Sequence, residues 1–209
     1  MKTCLNKDDS DGRPRKTEFA GHLEKLLQQY LQIHFPPSAH SSSPEPLITT
    51  VMFVQRFAAS AGTGEFSSDL ARLLGSQPIP KTALELVTDL ADVFCQSAEG
   101  IESDLLKKAV QEALLMSIDV QADSSVSEFT DLLRGYLARH GNTALTKLFI
   151  GIHMFDSIWF EFMESDFVST RSEDALDQLS TFLEQACFAK ADAVIAGGLI
   201  DNVSKLAAK

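Results

Sequence analysis

No motif with the spacing of a catalytic, metal or nucleotide site stands out in this chain, and what is missing excludes a good deal. Cysteine is scarce: Cys4, Cys95 and Cys187 lie far apart, with no CxxC and no Cys/His cluster. An odd, dispersed set of this kind fits a reducing compartment rather than a disulfide scaffold, and Cys95 and Cys187 fall at the edges of apolar arcs, as buried inert thiols do. Bases are outnumbered, 18 Lys and Arg against 29 Asp and Glu, for a net charge of −11. That balance argues against sequence-independent nucleic-acid binding and against docking on anionic membranes, since both need clustered cations.

Other absences are specific. The Gly62-Thr63-Gly64 turn lacks the lysine and the preceding strand of a phosphate-binding loop. No Glu-x-x-His pair occurs, which excludes a carboxylate metal centre of the four-helix type. There is no G-x-S-x-G elbow. The first residues hold no apolar h-region and Lys2 stands where myristoylation needs glycine, so a cytoplasmic protein is expected.

What is present is helical pattern. The stretch Leu145–Phe167 is the most apolar and aromatic in the chain and holds its single tryptophan, Trp159. On a helical wheel Leu145, Leu148, Phe149, Ile152, Phe155, Ile158, Trp159, Phe160, Phe162 and Met163 share one broad arc, with His153, Ser157, Glu161 and Glu164 opposite. Adjacent apolar pairs break the alternation a strand would need, and its charges interrupt the run short of a membrane span. A long central helix is predicted. Asp156 is the anomaly, a carboxylate inside the apolar arc; it must be paired, hydrogen-bonded or protonated. Arg56, on an otherwise apolar helix, is the first candidate partner, with Arg134 as another.

Around that centre the chain reads as a polar, disordered tail (1–16), an amphipathic first helix (17–35), a Pro/Ser-rich linker (36–46) and a helical domain (47–209). Leu47–Ser60 reads as a buried helix, and further helices follow to a short last one over Leu199–Ala208. Ser125–Glu128 and Thr170–Glu173 read as capping boxes, and Asn142 as the cap of the central helix. The predicted fold is all-α: an irregular bundle of about seven to nine helices around the central aromatic one. Helix pairs starting roughly every 45 residues leave a short stack like HEAT or armadillo repeats as the alternative, although no residue signature recurs at that period.

Function is read more weakly. His153 and Asp156, three apart, could form an Asp-oriented imidazole, the germ of a general base or metal ligand. The plainer reading gives Asp156 a structural ion pair and leaves His153 at a boundary. No catalytic residue, metal site or cofactor is assigned. The expectation is an interaction module or adaptor that binds a protein partner through a helical groove or an acidic face. The run from Asp156 to Glu184, with eight acids and only Arg171 as a base, is either a solvated face or a docking surface for a basic partner. The alternative is a small-molecule or cofactor-binding protein with a pocket beside His153, Asp156 and Trp159.

Overall fold

The computed structural model describes residues 16–35, 45–61, 63, 66–75, 80–118, 121, 123–164 and 172–198. They form eight α-helices: α1 (Lys16–His34), α2 (Pro46–Ala61), α3 (Phe66–Leu74), α4 (Ala83–Phe94), α5 (Gly100–Ser117), α6 (Val126–His140), α7 (Thr143–Met163) and α8 (Glu173–Ala196). The only pairing of extended backbone among the described residues is an isolated bridge between Thr82 and Ser125. Residues 1–15 of the tail, residues 36–44 of the linker, Gly62 and Gly64 of the turn, Thr170, and the short helix expected over Leu199–Ala208 lie outside the described residues, while Lys16, placed in the tail, opens α1.

Local chemistry sets the helix starts. At α4 the Thr82 hydroxyl accepts a bond from the Glu85 amide at 3.2 Å, and the Glu85 carboxylate accepts from the Thr82 amide at 3.3 Å. This reciprocal box satisfies two donors that a helix end leaves unpaired, and it sets the start of α4 at Ala83. At α6 the Ser125 hydroxyl accepts from the Glu128 amide, the hydroxyl half of the expected box. The bridge ties these two starts together, with the Ala83 amide donating to the Ser124 carbonyl at 2.7 Å.

Asn142 does not cap α7 as expected. Its backbone is already helical (φ −65°, ψ −23°) and its side chain makes no capping bond, because a side-chain cap needs extended backbone at that position. Gly141 is what allows this. Its φ of +83° reverses the chain between α6 and α7, a conformation that L side chains rarely adopt. At α8 the cap position is Ser172, without a side-chain cap bond.

Helix α7 is central, packing against α1, α2, α5, α6 and α8. It buries Leu145, Phe149, Ile150, Ile152, Met154, Ile158 and Phe162. Two contacts show α8 running antiparallel to it: Gly151 lies under the Phe188 ring, and Lys147 pairs with Asp192 at 2.6 Å. Two more show α1 antiparallel on another side, where His22 meets the Phe162 ring and Tyr30 meets His153. A linear stack of repeats brings only sequence neighbours together. Packing of α1 and α2 on α7 breaks that rule, so the fold is an irregular bundle. A second aromatic knot lies across α2, α3 and α4, where Phe57 contacts both Phe66 and Phe94 and Phe53 stacks on Phe94.

The apolar arc of α7 is not uniformly covered. Trp159, expected in the core, is half-buried and stacks on Phe155 with ring centroids 6.0 Å apart. Phe160 and Met163, in the last turn, are 41% and 50% exposed. A wheel projects all turns onto one circle and so cannot show where along its length a helix runs past its neighbours. No helix among the described residues is long and apolar enough to cross a membrane.

Candidate functional site

The three residues proposed from sequence fan out across α7 to different neighbours. Asp156, 7% exposed, turns to α5, where its Oδ1 accepts a bond from Lys108 Nζ at 2.7 Å. Burial alone would lower the Lys108 ammonium's pKa, but the bond and charge of Asp156, joined by Glu112 at 3.7 Å, raise it above its ordinary value. The expected partner was Arg56, and that expectation is corrected: the Arg56 side chain is exposed, on the solvent edge of α2. Arg134, the other candidate, is engaged elsewhere. Its Nε donates to the Ala61 carbonyl at 3.2 Å, its guanidinium lies over the Phe66 ring, and Asp131 stands 3.6 Å away.

His153 turns to α1. It is 2% exposed, and its Nδ1 is hydrogen-bonded to the Tyr30 hydroxyl at 2.6 Å, with donor and acceptor set by the tautomer. Its Nε2 is buried without a hydrogen-bond partner among the described residues. The His34 ring meets the His153 ring edge-on, 5.8 Å between centroids, and His34 Nδ1 lies 3.4 Å from a Glu45 oxygen just before α2. That last pair is close enough for an ion pair yet lacks hydrogen-bond geometry, which leaves both atoms unsatisfied.

Burial governs the protonation of this cluster. It lowers the His153 imidazole to about 3, with the facing His34 adding to the effect. It holds His34 below the ordinary imidazole value against the pull of Glu102, and it raises the Glu45 carboxyl. Tyr30 is pushed well above the usual phenol value by burial first, then by the nearness of Cys187 and Glu45. At neutral pH His153 is therefore a neutral imidazole. An uncharged ring with one free nitrogen can exchange a proton or hydrogen-bond a guest, but among the described residues its hydrogen-bond partner is a phenol. Asp156, the orienting carboxylate suggested by the sequence, is instead engaged by Lys108.

Compared with family models, curated proteins and solved structures, the chain matches none of them. Its own geometry carries the functional reading.

Among the described residues, two of the clefts are open to a ligand or partner. One, of about 530 Å³, runs between α1 and α7 and is lined by Leu26, Tyr30, Ile33, Ser157, Ile158 and Glu161, with Gln29, Gln32 and His34 at its edges. The other, of about 480 Å³, lies between α3 and α6 and includes Phe66, Leu70, Leu74, Val126 and Arg134. Neither is lined by His153, Asp156 or Trp159. His153 stands behind the first cleft, joined to it through Tyr30.

Sequence reasoning missed Tyr30, His34, Glu45 and Lys108. For Tyr30 and His34 a signal existed, since residues four apart on a helix share a face. Nothing in the sequence points to Glu45 or Lys108. Among the described residues no group of three or more His, Cys, Asp or Glu is placed to hold a metal ion. The Cys95 and Cys187 thiols are buried and free, and burial pushes them up to about 11 and about 12, which removes them as nucleophiles at neutral pH.

Proposed function

We propose that this protein is an interaction module that seats a basic, amphipathic segment of a partner protein in the cleft between α1 and α7. The observation that carries the reading is the lining of that cleft. Its lining joins the buried Tyr30 and Ile158 to the exposed Gln29 and Gln32, with half-buried His34 beside them and the carboxylate of Glu161 as its negative charge. Ile33, beside it, is 59% exposed, the kind of uncovered aliphatic that anchors a partner helix. The chain's net charge of −11 adds a long-range attraction for cations that speeds encounter. An open trough suits a peptide face better than a small molecule, which is normally enclosed over most of its surface.

Matched fluorescent helical peptides test this, identical on the apolar face and carrying either Lys or Glu on the polar one. Anisotropy titrations should show the Lys peptide binding, with affinity falling as salt rises. Ile33→Asp and Glu161→Lys should each weaken it by about tenfold, equivalent to about 1.4 kcal/mol. Equal binding of the Glu peptide, no binding of either, or indifference to both substitutions would refute the reading.

A further inference from the structure

We propose that α1 is an acid-released strap: proton uptake by His34 and His153 unseats it from α7 while α2 to α8 stay folded. The geometry supports this because both imidazoles lie at the contact between α1 and α7. His34 belongs to α1 itself, and His153 is roofed by Tyr30 of α1, whose hydroxyl holds its Nδ1 at 2.6 Å. The two rings meet edge-on at 5.8 Å, so a proton on either faces the other. His153 Nε2 is buried without a partner among the described residues that could share an added charge. Lifting α1 returns both rings to water.

The groups facing the pair come from every neighbouring element. Tyr30 is on α1, Glu45 precedes α2, Glu102 reaches His34 from α5, Glu161 of α7 lines the same cleft, and Cys187 of α8 lies near Tyr30. The carboxylates at 45 and 102 favour a charge on His34 and so oppose release. Desolvation outweighs them, since His34 still sits below the ordinary imidazole value. Burial also raises the Glu45 carboxyl, so its own proton uptake favours the seated state and opposes the effect of the two imidazoles.

The sign follows from proton counting. Both imidazoles bind a proton less readily when α1 is seated than when it is free. Seating is therefore undiminished above the free imidazole value and weakens as pH falls below it. For His153 alone, about 3 when seated against about 6.5 when free, the released population rises roughly 30-fold at about pH 5. Among the described residues α1 buries Leu23, Leu27 and Tyr30, with Phe35 just beyond, packs Leu26 and Leu31 in part, and is tied to α8 by the exposed Glu24–Lys190 pair at 3.3 Å. A helix that owes its stability to one packed face is a natural unit of local opening.

The strap regulates the proposed peptide cleft and in that respect rests on that reading, but its test needs no partner. Cys187 lies near Tyr30 at the α1 contact, whereas Cys95 is buried in the α2–α4 core within 4.0 Å of the Thr50 hydroxyl. The full chain is treated with a pyridyl disulfide from about pH 7.5 down to about pH 5, and each thiol's rate is read by peptide mass spectrometry. Rates are corrected for intrinsic thiol chemistry with a model peptide. Cys187 should gain reactivity by roughly 30-fold while Cys95 stays protected, and His34→Gln/His153→Gln should abolish the gain. If both thiols open together the transition is global, and if neither opens α1 stays seated; each result overturns the proposal. So does an unchanged gain in the double variant. Should that variant fail to fold, the contrast between the two thiols in the unaltered protein still decides.

Discussion

Replacing Lys108 with methionine isolates what the Asp156 carboxylate does. The pair is asymmetric: Asp156 is 7% exposed, whereas the Lys108 side chain is 53% exposed. Exposed ion pairs contribute about 0.2–1 kcal/mol, while removing one partner of a fully buried pair costs about 3–5 kcal/mol, chiefly by stranding the other charge. Here the stranded group is the dry one. Its second oxygen already lacks a hydrogen-bond partner among the described residues. An intermediate cost of about 2 kcal/mol is expected for Lys108→Met. With a urea slope of about 2 kcal/mol/M, the unfolding midpoint should fall by about 1 M. Lys108→Met/Asp156→Leu removes both the cation and the carboxylate and should recover most of that loss, because an apolar pair carries no desolvation penalty. Arg56→Ala is the control and should stay within about 0.5 kcal/mol, as exposed sites do. The assay is urea denaturation followed by circular dichroism. An unchanged midpoint for Lys108→Met, or a double variant no more stable than the single one, would refute the reasoning.

Two packing predictions accompany it. A Cβ at Gly151 would lie 2.6 Å from Phe188 Cδ1, so Gly151→Ala should destabilise by about 1–3 kcal/mol in the same assay, despite alanine's better helix propensity. Thr82→Ala breaks the box that opens α4 and should cost about 1 kcal/mol; an unchanged midpoint would show that the Ala83–Ser124 bond alone fixes that helix start.

Much of the fold was legible because it rests on local chemistry. The period of the apolar residues marked the helices, and α7 stands where the aromatic run placed it. Ser125 marked the start of α6 through hydroxyl chemistry confined to a few residues. The anomaly at Asp156 was also legible, since a buried carboxylate among apolar neighbours needs a partner whatever the fold.

Which partner was not legible. Lys108 is 48 residues from Asp156, and Tyr30 is 123 from His153. Periodicity gives the face on which a residue lies, but not the helix opposite or the height at which two helices cross. Crossing depends on how side chains of both surfaces interlock, as where Phe188 finds room over Gly151. For the same reason a wheel placed Phe160 and Met163 inside, and only the three-dimensional packing decided that the last turn of α7 is partly bare. The helices and most of their apolar faces were determined by the sequence at short range, although the wheel set His153 on the polar side of a helix that buries it. The pairing of Asp156 with Lys108, the roofing of His153 by Tyr30 and the cleft between α1 and α7 were decided only when distant surfaces met.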